Sequence, residues 1–308
     1  MRADPMISIS IDNGGGEASY PAYVLITPAR NEAIFIEQTI KSVIGQTIRP
    51  AKWVIVSDGS TDGTDDIVKK YAAEHTWIDL MRMPEREERH FAGKVHAFNA
   101  GYARVNDMHY DIVGSLDADI SFDHEYFGFL LKKFTLDPKL GVTGTPFREG
   151  NVQYDYRFSR KEHVSGACQL FRKECFEAIG GYIPIKAGAI DLAAIVTARM
   201  KGWKTETFTE KFCIHHRRMG TAKAHILVAQ FKSGFGDYRM GVHPLWQLSR
   251  SIYQMTRKPF VVGGVLLLVG YMWAGVTRAQ KPVSMEFVRF RRKEQMGWLK
   301  EYVLKILG

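Results

Sequence analysis

Apolar and polar positions follow two alternating periods through the first half of the chain. YVLIT (Tyr23–Thr27) reads as a short apolar strand that Pro28 ends. From Asn31 onward Phe35, Ile36, Thr39, Ile40, Val43 and Ile44 recur at helical spacing, and Gly45 closes the run. WVIVSDGSTDGT continues as a strand through Val56 and then a turn, and the next helix runs through Ile67, Val68 and Tyr71. WIDLMRM is a further strand, PEREERHFAGK a polar loop, and Ala97, Phe98 and Ala100 lie on a helix before the fourth strand, DIVGSLD. Strands alternating with helices imply right-handed crossovers and a mainly parallel sheet. Ligands of such sheets bind beyond the carboxyl ends of the strands, where Thr27, Asp58 and Asp117 all fall.

In IVGSLDADISF, Asp117 and Asp119 end a buried run two positions apart. In extended chain such residues point to one side, and converging carboxylates raise each other's pKa unless a cation sits between them. A chain of this size shows about one Asp-x-Asp by chance, so the placement at a strand end carries the weight. SDGSTDGT equally suits a plain turn with a capping Asp or Thr. Lys94, opening a helix near the strand ends, suits either a solvated face or a phosphate contact. No G-x-G-x-x-G and no P-loop lysine motif is present, which excludes the commonest nucleotide-cofactor folds.

Composition adds a division. The 308 residues are 45% hydrophobic and 24% charged, enough for a full core. Three scattered cysteines (Cys168, Cys175, Cys213) lack metal-ligand spacing and fit a reducing compartment. Residues 1–20 have no apolar core for a signal peptide and read as a flexible arm. The net charge of +9 is uneven: residues 1–214 carry 26 Lys/Arg against 29 Asp/Glu, and residues 215–308 carry 16 against four. Nucleic acid would explain the basic charge but not the uncharged run at 259–277, so it is excluded as a partner.

That run would be about 28 Å long as a helix, barely enough to cross a hydrocarbon core. Basic residues flank both sides, Arg257 and Lys258 before it and Arg278 and Lys281 after it. A re-entrant or interfacial helix with both flanks in the cytoplasm fits those charges better than a single span. A span and a buried core helix both stay open. Met296, Leu299, Tyr302, Val303 and Ile306 form one apolar face near the end, with Trp298 beside it, and HPLWQLSRSIY (243–253) adds aromatics and arginine. Together they suggest a platform on an anionic membrane surface.

The front half resembles a known family. PARNE (28–32), VIVSDGSTDGT (54–64), AGKVHAFNAG (92–101) and LDAD (116–119) stand in the order and spacing of family 2 glycosyltransferases with the GT-A fold. SGACQLFRKECFEAIGGY (165–182) and IDLAAIVTARMKGWKT (190–205) extend the resemblance over residues 22–216. It implies an α/β fold of GT-A type, with a mainly parallel Rossmann-like sheet flanked by helices at 21–216. A basic helical C-terminal region at 217–308 would form a membrane-associated appendage. It also implies an inverting, metal-dependent transfer of sugar from a UDP- or GDP-sugar to a lipid-linked or polysaccharide acceptor, at the cytoplasmic face of a membrane.

Carried over by residue, Asp58 reads the nucleobase, and Thr27, Pro28, Arg30, Asn31 and Glu32 line the nucleotide with Lys94 nearby. Asp117 contacts the ribose and metal side, and Asp119 ligates Mg²⁺ or Mn²⁺. The chain departs from the family where a Glu-Asp pair should stand. The matching residues are Gly188 and Ala189, and only Asp191 survives as general base, unless it merely caps the helix it heads. A base elsewhere, or an acceptor already ionised, stays open. In HHRRMGTA (215–222), His215 or His216 completes the metal shell and Arg217 or Arg218 binds the diphosphate, unless the stretch is only a basic edge. A nucleotidyltransferase would want a glycine-rich loop after the first strand, which TPARNE lacks. The missing acid pair favours one alternative, a catalytically lapsed nucleotide-sugar-binding subunit or sensor.

Overall fold

The computed structural model describes residues 20–85, 91–150, 152–153, 160–217 and 226–307. Nearly all of the expected N-terminal arm, and Arg218, lie outside them. The first half follows the expected alternation: β1 (Tyr23–Ala29), α1 (Ile36–Ile44), β2 (Lys52–Asp58), α2 (Thr64–Glu74), β3 (Ile78–Met83), α3 (Ala92–Ala103) and β4 (Ile112–Leu116). After it come β5 (Ile120–Ser121), α4 (Tyr126–Leu136), β6 (Leu140–Gly144), β7 (Phe147–Glu149), β8 (Val152–Gln153), β9 (Cys168–Arg172) and α5 (Lys173–Ala178). Then follow α6 (Ile190–Met200), β10 (Lys204–Thr207) and β11 (Cys213–His215).

Seven strands form one sheet in the order β10-β6-β9-β4-β1-β2-β3, parallel except for β9, which runs against both β4 and β6. Its central strands are apolar on both faces because helices cover both. Tyr23, Leu25, Trp53 and Ile55 face one core, and Val24, Ile26, Val54 and Val56 the other. A smaller sheet, β5-β11-β7-β8, sits beyond the carboxyl end of β4.

Two boundaries differ from expectation. β1 runs through Pro28 to Ala29, because β4 pairs with it only as far as Ile26 and the proline interrupts no ladder on that side. Residues 31–35 are turns, since Asn31 takes a left-handed φ of 57° and its loop is tied to the turn after β2.

Among the described residues four further helices follow: α7 (Ile226–Arg239), α8 (Pro244–Met255), α9 (Val262–Val276) and α10 (Met285–Leu307). The 259–277 stretch is thus not one helix. Its helical part, α9, has 15 residues, about 22 Å. Among the described residues no helix is long and apolar enough to cross a membrane. α10 returns to α6, where Arg199 Nε and Nη2 donate to Glu294 at 2.6 and 3.0 Å.

Candidate functional site

Two loops at the strand ends are stitched together by the side chains of SDGSTDGT. Ser60 Oγ accepts from Asn31 N at 3.1 Å, Thr64 Oγ1 from Glu32 N at 2.8 Å, and Asp62 Oδ2 from Ala33 N at 3.0 Å. Asn31 Oδ1 accepts in return from Thr61 N at 2.9 Å. Asp62 also accepts from Thr64 N, closing the turn, but the N-cap of α2 is Gly63 and not the capping Asp or Thr that the sequence offered. Gly59 is required between Asp58 and Ser60: its φ is +67°, and a Cβ there would lie 2.5 Å from Glu85 Cα. Asp58 ends β2, only 6% exposed.

Thr27 corrects an expectation. It is wholly buried, and its hydroxyl accepts from Trp53 Nε1 at 2.9 Å, so its side chain braces β1 to β2 away from the surface of the cleft. Pro28, near the end of β1, is half-buried, as are Arg30 and Glu32 on the loop that follows, where Asn31 is exposed.

Asp117 and Asp119 do converge, though not by strand alternation. The chain turns after β4, and β5 pairs antiparallel with β11, setting His215 opposite Ile120. The backbone of Asp119 is held by His216 N, which donates to its carbonyl at 2.9 Å. A carboxylate oxygen from each aspartate and a ring nitrogen of His215 all lie within 4.8 Å of one another. The side chains of Asp119 and His215 are each only 9% exposed. His215 Nδ1 lies 2.5 Å from the carbonyl of Arg217 and therefore carries the proton. In the neutral ring that leaves the Nε2 lone pair on the Asp119 side, where Oδ1 is 3.5 Å away.

His216, one residue past the end of β11, turns out of the cluster: its Nε2 meets Ser121 Oγ at 2.8 Å and its ring stacks on Phe35. The expectation that either histidine completes the cluster resolves to His215.

The cations around the cluster come from two sides. Lys94, in the first turn of α3, pairs with Asp117. Burial pulls the Lys94 pKa down, but Asp117, Asp191 and Asp119 outweigh it and hold the ammonium above its ordinary range. Arg217 Nε donates to Asp119 Oδ2 at 3.2 Å, and its Nη2 pairs with Glu32. Two carboxylates and a neutral imidazole suit a hard to borderline divalent cation such as Mg²⁺ or Mn²⁺.

Asp191 lies across the same cleft, a space of about 280 Å³ lined also by Lys94, Asp117, His215 and Gly166. It is not the helix cap. Ala189 holds that position with a left-handed φ of 62°, and Asp191 stands within the first turn of α6. Gly166 lets the turn before β9 approach it, since a Cβ there would lie 3.0 Å from Asp191 Oδ2. Arg160 and His163 line this cleft and were missed in the sequence, where nothing sets them apart from a solvated basic loop.

The model of glycosyl transferase family 2 matches residues 24–224. The poly-beta-1,6-N-acetyl-D-glucosamine synthase of Staphylococcus aureus is 33% identical over 193 residues, covering 60% of this chain. The chain spans less than half of that relative, 42% of its length. Among solved structures, the mannosyltransferase PcManGT from Pyrobaculum calidifontis, in complex with GDP-Man and Mn²⁺, superposes with a TM-score of 0.55 at 20% identity, covering 94% of this chain and 82% of that one. S. aureus TarS 1-349, in complex with UDP-GlcNAc, superposes with a TM-score of 0.54 at 13% identity, covering 88% and 78%. Both share the GT-A architecture of this chain.

Proposed function

The chain belongs to glycosyl transferase family 2, and from that premise we propose that it transfers a sugar, with inversion, from a UDP- or GDP-sugar to a lipid-linked or polysaccharide acceptor at a membrane. The observation that carries this reading is the Asp117–Asp119–His215 cluster facing Asp191 across one cleft. Relatives named for UDP-GlcNAc, GDP-Man and a polysaccharide product support the substrate classes. The catalytic sheet and small sheet form the transferase unit on the cytoplasmic side, and the C-terminal helices form its membrane-associated part.

A divalent metal bound at the cluster would neutralise the diphosphate leaving group. Asp58 and the 28–32 loop hold the nucleoside. Lys94 pairs with Asp117 and opposes the rise in its pKa that burial and Asp119 cause. Arg217 exchanges its carboxylate partners Glu32 and Asp119 for the diphosphate, a swap its two planar donors suit. Asp191 takes the proton from the acceptor hydroxyl as its oxygen attacks the anomeric carbon from the far side.

Calorimetric titration of UDP and GDP with and without Mn²⁺ tests the site. Binding should need the metal and vanish in Asp119→Ala, and binding indifferent to both would sink the metal role. Asp191→Asn should keep nucleotide binding and slow transfer at least about a hundredfold. The Gly188–Ala189 pair favours one second reading, a sensor that binds nucleotide sugar without turning it over. Release of free UDP or GDP from a sugar donor by the wild type excludes it.

A further inference from the structure

In the helical region that follows the small sheet, α8 and α9 turn large apolar residues outward. On α8, Gln247 and Ser251 are wholly buried, while Leu245, Leu248 and Ile252, on one helical stripe, are 52%, 44% and 55% exposed. On α9 four of the six buried residues are small, Gly263, Gly264, Gly270 and Ala274, with Leu267 and Tyr271 beside them. Val262, Val265, Val269, Met272 and Val276 recur at alternating steps of three and four along the opposite, exposed stripe. The connection between the two helices is apolar as well, with Phe260 and Val261 59% and 58% exposed.

At the seam the backbones touch. A Cβ on Gly234 of α7 would lie 1.8 Å from Leu267 O, and one on Gly270 would lie 2.0 Å from Phe231 O. A Cβ on Gly264 would lie 2.3 Å from Ser251 O, so α8 and α9 are equally close. Polar groups tie the region alongside buried Leu267, Tyr271 and Phe287: Gln295 Oε1 accepts from His243 N, Arg291 donates to Met240 O, and Arg250 pairs with Asp237 nearer the surface. Water as surroundings rewards the reverse arrangement. Large residues outward and small residues or hydrogen bonds inward is how helices pack when their surroundings are hydrocarbon.

We propose that the α8–α9 hairpin lies flat in the surface of an anionic lipid membrane, its two exposed stripes sunk to the acyl boundary. Charge decides the orientation. Arg257 and Lys258 stand at the turn between the helices, and Arg278 follows the far end of α9, all exposed. Insertion tip first would carry Arg257 and Lys258 into hydrocarbon, the costliest place for them. Lying flat keeps both cationic ends among anionic headgroups, and α9 at about 22 Å is too short for any other course across the bilayer. A second copy of the chain suits the face less well. Protein interfaces carry about one hydrogen bond per 100–200 Å², and neither stripe has a hydroxyl, amide or charge to supply one. The proposal deepens the membrane-acceptor reading and rests on it for the acceptor's location, but the exposed face alone carries the docking.

Sedimentation of the full-length protein with vesicles tests it, using phosphatidylcholine alone and phosphatidylcholine mixed with phosphatidylglycerol. The wild type should pellet with the anionic vesicles. The triple variant Leu248→Glu, Val265→Glu, Val269→Glu should partition at least about tenfold less. Its substitutions are at exposed positions, so Mn²⁺-dependent nucleotide binding should be unchanged. A wild type that stays in the supernatant with both vesicles, or a triple variant that pellets like the wild type, overturns the proposal. So does a wild-type dimer that the triple variant abolishes without any vesicle binding, which would assign the face to a second copy. Nucleotide binding that persists while vesicle binding fails leaves the transferase reading standing. A depth-sensitive fluorophore on Thr256→Cys and on Thr277→Cys should report headgroup depth at both ends, since the native cysteines are buried. A deep label at 256 overturns the flat orientation.

Discussion

At the scale of single residues, the site is decided by which of two neighbours faces inward. His215 and His216 are indistinguishable in sequence, but only His215 joins Asp117 and Asp119, while His216 bonds Ser121. His215→Ala should therefore weaken Mn²⁺-dependent nucleotide binding at least about tenfold, as loss of metal-site groups does elsewhere. His216→Ala should leave it near wild type, and calorimetry on the two variants would show the reverse order if the assignment is wrong. Thr27 shows the opposite limit of motif reading. It sits in the expected place along the chain, yet its hydroxyl is spent on Trp53. Asp191 was legible as the surviving acid, but its position inside the helix and across the cleft from Lys94 and Asp117 was not.

At the scale of elements, the β1–α1 and β2–α2 loops act as one piece because Ser60, Asp62 and Thr64 accept from the backbone of residues 31–33. Burial pushes the Asp62 carboxyl up, but hydrogen bonds from Thr64 and from Ala33 N outweigh it and hold its pKa below the ordinary value. A carboxylate whose pKa is depressed by folding stabilises the fold above its unfolded pKa, and that contribution is lost as pH falls through the folded value. The stability difference between wild type and Asp62→Asn should thus be constant from neutral pH down to about pH 5 and shrink below about pH 4. Urea unfolding at a series of pH values measures it, and a difference that grows toward acid would contradict the sign. The clasp explains why SDGSTDGT reads both as a turn and as part of a site: its side chains build the turn that presents Asp58 and Glu32.

At the scale of the whole molecule, the C-terminal helices are not a detachable tail. α10 crosses back to α6, where the side chains of Arg199 and Glu294 are only 12% and 16% exposed in a bidentate pair. Arg160, which lines the cleft, also pairs with Glu301 of α10 and lies over the Trp298 ring. Glu294→Ala should lower unfolding free energy by about 2–3 kcal/mol, because it strands a largely buried guanidinium that keeps only its bonds to Glu162 O and Thr205. Denaturant unfolding checks this, and a loss within the range of a surface pair would mean α10 contributes little to the catalytic unit. From sequence alone the alternating periods determined the parallel sheet, and the ordered motifs the family and the acids at the strand ends, because those signals are local in the chain. Tertiary structure decided which histidine joins the cluster, what Arg217 holds, and that the 259–277 run is a short helix in a hairpin with apolar stripes turned outward. Those outcomes depend on β5 meeting β11, on glycine seams between α7, α8 and α9, and on α10 returning to α6, contacts between residues far apart in the chain that no local pattern encodes.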